Sequence, residues 1–225
     1  MVIGADGIHS TVRELALASS IPSYAGQMVW RSVIPLRPPG LVEMMVLLGD
    51  GCYFALVPMD EGCTYGFGGI DAGRFEDPVP GRLERFRARF AGFGPPVPAY
   101  LAALQSDQQL HVAAIEWVEI EAWYRGRVVL IGDAAHAGPP HMREGGCMAM
   151  EDAMVLAEVL NKAHDLDSAL KAYVNRRRPR ADWVQEQSRA AARAFVLPPA
   201  IRDAALRERG DQTFRDRYRP LIPAP

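Results

Sequence analysis

The sequence predicts a mixed fold, α/β (α+β), with one mainly parallel and one antiparallel sheet. Three features of the chain support this prediction. Arg127–Ile131 is a short, uninterrupted run of β-branched and aliphatic side chains, typical of a parallel strand buried on both faces. From Cys147 to Leu160 apolar residues recur at helical spacing, so a helix should follow that strand. Between residues 24 and 118, short apolar runs separated by Gly- and Pro-rich turns predict an antiparallel sheet. We therefore expect a buried, mainly parallel sheet, an antiparallel sheet and C-terminal helices.

The chain begins with a predicted strand and helix. Met1–Gly7 has the pattern of the end of a buried strand, and residues 8–16 place Val12, Leu15 and Ala16 on one helical face.

Residues 24–118 contain the predicted antiparallel sheet. Its strands are predicted at 27–35, 42–48, 53–57, 64–67 and 109–118. Two helices, Pro80–Ala91 and Pro96–Leu104, should pack against it. Gly66–Gly69 lacks the third glycine and the following helix of a Rossmann turn, so it is predicted to lie in a strand or turn.

A loop and a helix follow the buried strand of residues 127–131. The strand ends at Gly132 and Asp133, and a helix is predicted to start at Gly145 and Gly146. The apolar face of this helix is predicted to comprise Met150, Met154, Leu156, Ala157 and Leu160. Glycines let the backbone approach a ligand, and the unpaired N–H groups of a first helical turn favour an anionic or electron-rich group. The stretch therefore has the properties of half a cofactor cradle.

The C-terminal part is predicted to be helical. A helix starts at Ser168, is broken or kinked at Pro179, and continues over residues 183–195. The basic cluster Arg176–Arg180 is interpreted as a solvated helix face. The domain division that follows from these patterns is 1–23, 24–118, 119–163 and 164–225.

Composition excludes several classes of function. The 225-residue chain has a net charge of −2, which gives no electrostatic reason to expect nucleic acid or an anionic membrane as a partner. No apolar run reaches the roughly 18 residues that span a bilayer. Three cysteines without metal-ligand spacing suit reduced thiols, so a cytoplasmic location is expected. We predict no metal site, because His136 and His141 lie in a Pro-rich loop with nothing to complete a ligand shell.

The motifs of residues 132–153 resemble the second FAD-binding signature of the class A flavoprotein monooxygenases, the FAD-dependent aromatic hydroxylases. The matching positions are Gly132-Asp133-Ala-Ala-His136, Pro140, Gly145-Gly146 and Glu151-Asp152-Ala153. The resemblance implies that Asp133 holds the ribityl chain of FAD and that Gly146, Cys147 and Met148 face the pyrimidine end of the flavin ring. That end becomes negative on reduction, which suits a helix N-terminus.

The first residues resemble a second motif of the same family. Asp6, Gly7 and Arg13 match its Asp-Gly motif, which lies near the FAD pyrophosphate and is tied to nicotinamide binding. In the family a dinucleotide-binding βαβ unit precedes this motif, and the sequence in hand contains no such unit. The cofactors implied are FAD, bound weakly or lost in this chain alone, and NAD(P)H as reductant.

One position departs from the family pattern. Arg143 and Glu144 stand where relatives usually carry Gly-Gln or Gly-Ala, which places a long side chain beside the expected flavin ring. Arg143 either supplies positive charge to the reduced ring or to a carboxylate substrate, or forms a surface ion pair with Glu144; the sequence leaves both open. Candidate substrate-pocket residues are Trp30, Arg31, Tyr53, His141 and Arg143. No residue is assigned a catalytic role, because the chemistry belongs to the cofactor.

Two functions follow as hypotheses. The first is an FAD-dependent monooxygenase that uses NAD(P)H and O2 to hydroxylate an aromatic or polyketide-like small molecule, represented here by a partial chain. The second is a repurposed, flavin-free pocket protein for a non-redox step, or an interaction subunit. In either case we expect self-association, or a companion chain that supplies the βαβ unit, because strand edges and an apolar patch should be exposed.

Overall fold

The computed structural model describes residues 1–17 and 21–225, which form two compact units. The first unit comprises residues 1–25, 116–192 and 205–225, and the second comprises residues 26–115 and 193–204. The mixed α/β architecture confirms the predicted fold class. The four-segment division stays a prediction, and residues 18–20 of its first segment lie outside the described residues.

The helices and strands follow one another in this order: β1 (Val2–Gly4), α1 (Thr11–Ala16), β2 (Ser23–Ile34), β3 (Met45–Leu48), β4 (Cys52–Pro58), β5 (Thr64–Asp71), α2 (Arg82–Phe90), α3 (Val97–Ala103), β6 (His111–Trp117), β7 (Tyr124–Arg125), β8 (Val128–Leu130), α4 (Asp133–His136), α5 (Gly145–Lys162), α6 (Leu166–Phe195) and α7 (Pro199–Tyr218). Across these elements, within the described ranges, no helix combines the length and the apolar character needed to cross a membrane.

The first unit contains a three-stranded sheet in the order β1-β8-β7. β1 runs parallel to β8, with Ile3 opposite Val129, and β7 is antiparallel to β8. Val129 and Leu130 are fully buried, as the apolar run predicts, whereas Val2 and Ile3 on the outer strand are 51% and 45% exposed. The parallel pair therefore has one covered strand and one open strand.

The second unit is built on a five-stranded sheet in the order β3-β4-β5-β2-β6, in which β2 and β6 extend slightly beyond the unit. β5 pairs antiparallel with both β2 and β4. The glycines of β5 leave room for aromatic rings: a Cβ on Gly68 would lie 2.5 Å from the ring of Phe90, and one on Gly66 would lie 2.3 Å from the ring of Tyr100. The Gly66–Gly69 segment is thus a strand feature, as the sequence indicates.

Two helical predictions were wrong in detail. α6 runs through Pro179 without a break, so the predicted break is wrong, while the predicted kink stays a prediction. Arg177 in the supposedly solvated basic cluster is fully buried. On α5 the predicted apolar residues Met150 and Met154 are exposed, and Asp152 is buried instead. The physical reason is that Asp152 and Arg177 pair with each other, so the charges of these two helices face inward.

Candidate functional site

The turn after β8 depends on glycine. Gly132 has φ 59° and ψ −143°, a left-handed region that non-glycine residues rarely enter. A Cβ at this position would also lie only 3.0 Å from the Cβ of Ala149 on α5. Gly132 therefore lets the end of β8 pack closely against α5.

Asp152 of α5 joins the turn, the short helix α4 and α6. One carboxylate oxygen, Oδ2, accepts hydrogen bonds from the Gly132 N–H (2.8 Å) and is 2.6 Å from His136 Nε2. The other, Oδ1, accepts a hydrogen bond from Arg177 Nε at 2.8 Å. Asp152 and Arg177 are both fully buried. The single carboxylate of Asp152 therefore holds the Gly132 turn, α4 and α6 together inside the first unit.

The ionised form of Asp152 is stabilised despite its burial. Desolvation opposes the charge, but hydrogen bonds from His136, Arg177 and Gly132 hold the pKa of this carboxyl below its usual range. A buried charge is tolerated only when it is paired and hydrogen-bonded in this way.

A second carboxylate extends the cluster toward the surface. Glu151 accepts hydrogen bonds from Arg177 Nη1 (2.5 Å) and from Arg180 Nε and Nη2 (2.7 and 2.9 Å). We call His136, Glu151, Asp152, Arg177 and Arg180 the buried charge cluster. It fixes α5 relative to α6 at the end of α5 that lies nearest the turn.

The N-terminus of α5 is open. The helix begins at Gly145, the preceding Glu144 makes no capping hydrogen bond with its side chain, and the first turn contains no acidic residue. A Cβ on Gly146 would meet nothing within 4 Å, so no packing contact requires glycine there. The first N–H groups of α5 thus lie beside free space and carry the positive end of the helix dipole.

A cavity of about 270 Å³ lies beside this helix end, and we call it the α5 cavity. Its lining combines loop, helix and α6 residues: Asp133, His136, Gly138, Pro139, Pro140, Arg143, Gly145, Gly146, Met148, Ala181, Val184, Gln185 and Ser188. Asp133 is exposed in the first turn of α4, and a Cβ on Gly145 would lie 3.9 Å from its Oδ1. The structure therefore brings together Asp133, Pro140, Gly145, Gly146 and Met148 from the predicted cofactor-binding residues.

Arg143 has an uncommon backbone conformation. Its φ is 61°, and it is the non-glycine residue with positive φ among residues 1–17 and 21–225. The left-handed region costs an L-residue about 1–2 kcal/mol, and such strain is often found at functional sites. Arg143 lines the α5 cavity, next to the closing turn of residues 140–142, where the Arg143 N–H donates to Pro140 O at 3.0 Å.

Other predicted cofactor and pocket residues of the first unit lie around the cavity rather than in its lining. Cys147 is exposed at the start of α5, and Gly132 lies at the turn described above. His141 is mostly enclosed, and burial lowers its pKa to about 4. It is therefore neutral at physiological pH.

Asp6 and Arg13 make internal contacts. Asp6 accepts hydrogen bonds from Ser10 Oγ (2.5 Å) and from the Val12 N–H (3.1 Å), so it caps the start of α1. Arg13 is buried and donates to Ala134 O at 2.9 Å and to Ile8 O at 2.6 Å. The Asp-Gly motif thus supports α4, the helix that carries Asp133.

The remaining pocket candidates lie on β2 and β4 of the second unit. Trp30 is 1% exposed, packs against Phe86 and Phe90, and donates from Nε1 to Asp77 Oδ2 at 2.6 Å. Tyr53 is 2% exposed and packs edge-on against Phe195, and burial raises its pKa. Arg31 is half-buried. Trp30 and Tyr53 are core residues of the second unit, and a substrate-facing role for them stays a prediction.

Sequence reasoning missed the buried charge cluster. The sequence places Glu151 and Asp152 in a motif that assigns them no role, and it predicts that Arg177 is solvated. Two acidic residues inside an apolar helix and an arginine 25 residues after Asp152 carry no local signal that they meet. The usable signal was the placement of Asp152 four residues after Met148 on the same helical face.

With this geometry in place, comparison with known proteins gives a clear result. Residues 1–188 match the model of the family described as "FAD binding domain". The chain belongs to that family. Since the match covers well over half of the chain and relatives of the same kind are found, the resemblance to class A flavoprotein monooxygenases is confirmed.

Several curated relatives of this FAD binding domain chain are monooxygenases or hydroxylases. It is 36% identical over 177 residues to an aurachin C monooxygenase/isomerase of Stigmatella aurantiaca, covering 77% of this chain and 45% of the relative. It is 32% identical over 229 residues to a 3-amino-4-hydroxybenzoate 2-monooxygenase of Streptomyces platensis, covering 98% of this chain and 55% of the relative. The chain thus spans about half the length of these relatives.

A solved structure agrees with the sequence match. Klebsiella pneumoniae HpxO, crystallised with FAD and uric acid, superposes with a TM-score of 0.81 at 29% identity, covering 96% of this chain and 56% of HpxO. A salicylate hydroxylase substrate complex has a TM-score of 0.75 at 25% identity, covering 99% of this chain and 64% of the other. Both units of the FAD binding domain chain therefore have counterparts in this fold.

Proposed function

We propose that the α5 cavity binds the ring end of FAD. The observation that carries the proposal is the open N-terminus of α5, where Gly146 faces free space that no protein atom fills. The N–H groups there suit the electron-rich pyrimidine edge of a flavin. Asp133, exposed at the same cavity, would accept hydrogen bonds from the ribityl hydroxyls.

The cavity fits part of FAD rather than the whole cofactor. Ligand pockets usually measure about 300–1,000 Å³, and the α5 cavity measures about 270 Å³. Its walls include Met148, Val184 and Pro139, which are apolar surfaces suited to a planar ring. The site would therefore hold the ring and the adjoining chain, and this chain alone should bind FAD weakly.

The proposed activity is that of an FAD-dependent monooxygenase that uses NAD(P)H and O2 to hydroxylate an aromatic or polyketide-like small molecule. One relative named above is a 3-amino-4-hydroxybenzoate 2-monooxygenase, whose named substrate is an aromatic compound. FAD would supply the redox chemistry. The residues of this chain bind and orient. Arg13 fixes α4 beneath Asp133, and Arg143 brings positive charge to the cavity. Arg31, which is half-buried, is the proposed substrate contact of the second unit. We also propose a cytoplasmic location.

A partner segment belongs to the same proposal. β1 is an outer strand with half-exposed Val2 and Ile3, and an open strand edge with apolar residues favours pairing. We expect the 225-residue chain to self-associate or to bind a companion that supplies the βαβ unit. Light scattering should show a species larger than a monomer. A monodisperse monomer that unfolds cooperatively would contradict this part.

The flavin proposal is tested by replacing Asp133. Asp133→Ala should weaken FAD binding by about 1.5–3 kcal/mol, the range for a hydrogen bond to a charged group, in a titration followed by flavin fluorescence. Asp167→Ala is the control, since Asp167 is also exposed in the first turn of its helix and lies outside the lining of the α5 cavity. Equal FAD affinity in both variants and the wild type would remove Asp133 from the site.

Arg143 favours one alternative. A cationic side chain in the cavity also suits a carboxylate ligand without flavin, as in a repurposed pocket protein for a non-redox step or an interaction subunit. Absorbance of the purified chain in excess FAD distinguishes the two. A folded chain that shows no flavin spectrum and no FAD binding would favour the flavin-free function.

A further inference from the structure

A small apolar cluster forms one wall of the α5 cavity. Its buried members are Met142, Met148 and Val184, and Tyr218 packs against it from the end of α7. Met148 and Val184 also line the cavity. The wall therefore connects the loop of residues 140–143, the helices α5 and α6, and the last residue of α7.

Tyr218 holds the loop through its hydroxyl group. The Tyr218 O–H donates to Met142 O at 2.9 Å. Met142 O belongs to the peptide that joins Met142 to Arg143, so this hydrogen bond fixes the orientation of that peptide plane. The peptide plane in turn sets φ of Arg143, which has the left-handed value of 61°.

The left-handed conformation of Arg143 is strained, and the Tyr218 hydrogen bond opposes its relaxation. An arginine gains free energy by leaving that region, and a flip of the Met142–Arg143 peptide would allow it to do so. Such a flip would break the hydrogen bond from Tyr218 and the one from the Arg143 N–H to Pro140 O. The loop is thus held against its own backbone preference at Arg143, a residue that lines the cavity.

Tyr218 is itself anchored to α6. Trp183 Nε1 donates to Arg217 O at 3.0 Å, immediately before Tyr218. Arg180 Nη2 donates to Leu221 O at 2.7 Å, just after it, while the same guanidinium is paired with Glu151. The segment 217–221 is therefore fixed to α6 on both sides of Tyr218, and through Arg180 to the buried charge cluster on one side.

We propose that Tyr218 is a positioning residue that directs Arg143 into the α5 cavity and so strengthens the binding of the flavin ring there. The inference rests on the proposed flavin site and adds a residue that positions one of its side chains. Arg143 touches the ligand, and Tyr218 acts only through the Met142–Arg143 peptide.

A double-mutant cycle tests this coupling with FAD as the probe, by quenching of flavin fluorescence. Tyr218→Phe keeps the ring and removes the hydroxyl, and should weaken FAD binding roughly two- to tenfold, as expected for one hydrogen bond. Arg143→Ala should weaken it about tenfold or more. Tyr218→Phe should have no further effect in the Arg143→Ala background, because the residue it positions is gone.

Tyr100→Phe is the matched control. Tyr100 in the second unit also donates from its hydroxyl to a backbone oxygen, Ser32 O, at 2.8 Å. The Tyr100→Phe variant should leave FAD affinity unchanged. An equal loss in Tyr100→Phe, a wild-type affinity in Tyr218→Phe, or additive effects of Tyr218→Phe and Arg143→Ala would overturn the proposal.

A measurement without ligand separates this proposal from the flavin site. Trypsin cleaves after arginine, and release of the loop should make the Arg143–Glu144 bond cut several times faster in Tyr218→Phe than in the wild type. If the wild type binds no FAD but cleavage accelerates, the flavin proposal fails and the positioning role stands. Unchanged cleavage contradicts the positioning role whether or not FAD binds.

Discussion

The two units of this chain are stabilised in different ways. The first unit buries charges: Asp152 and Arg177 are both fully enclosed and paired with each other. The second unit buries rings: Phe54 and Phe90 pack edge-on with their ring centroids 5.1 Å apart, and the Phe90 ring packs over Gly68 of β5. Directional hydrogen bonds therefore fix the geometry beside the α5 cavity, while shape complementarity fixes the sheet core. The first unit should respond to changes of charge and pH, and the second to changes of volume.

The largest effect is expected from breaking the buried ion pair. Arg177→Met leaves Asp152 buried without its arginine partner and should lower the free energy of unfolding by about 3–5 kcal/mol. Arg176→Met next to it is the control, because Arg176 forms a partly exposed pair with Glu158, and such pairs contribute about 0–1 kcal/mol. Urea unfolding compares the two variants. Similar losses at both positions would mean that the buried ion pair contributes no more to the free energy of unfolding than a partly exposed one.

A pH titration should separate the units next. Burial lowers the pKa of His141 to about 4, so between about pH 6.5 and 4 the unfolded chain binds a proton that the folded chain does not. Stability of the first unit should therefore fall as the pH falls through this window, by up to roughly 3 kcal/mol.

His141→Gln should flatten that part of the curve, measured by thermal unfolding at each pH. Asp152, with its pKa held below the usual range, should add a further loss only at still lower pH, as its carboxylate is protonated. A pH dependence in this window that is identical in the variant would show that His141 is not its source.

A smaller loss should come from adding volume to the second unit. Gly68→Ala places a Cβ 2.5 Å from the ring of Phe90 and should cost about 1–3 kcal/mol by overpacking. Gly73→Ala is the control, since its Cβ would meet nothing within 4 Å, and it should change stability by no more than about 0.5 kcal/mol. A neutral Gly68→Ala would show that the aromatic layer yields easily.

Local features of the fold and site were predictable from the sequence, and distant pairings were not. The buried strand, the helix start at Gly145 and the strand glycines follow from apolar runs and from glycine placement, which are local signals. The contact between Asp152 and Arg177 joins residues 25 positions apart. Helical periodicity identifies Met150 and Met154 as one apolar stripe, but it does not show that a paired carboxylate occupies the buried face instead. Likewise an alternating strand separates the two faces of β2 without showing that Trp30 packs on Phe86 and Phe90.

The charge cluster and the site also differ in what a side chain would meet. Replacing Asp152 or Arg177 would leave the other charge buried without its ion-pair partner. At the N-terminus of α5, by contrast, a Cβ on Gly146 would meet no atom within 4 Å. That open space is the space assigned to the flavin ring. A side chain placed there should lower the affinity for FAD and leave the stability of the protein unchanged.

The most direct test is therefore Gly146→Leu. The new side chain would enter open space, so thermal unfolding should be unchanged or slightly improved, because leucine favours a helix more than glycine does. FAD affinity, measured by fluorescence titration, should fall by about tenfold or more, equivalent to about 1.4 kcal/mol. Full FAD affinity in a folded Gly146→Leu variant would contradict the claim that the flavin ring occupies the N-terminus of α5.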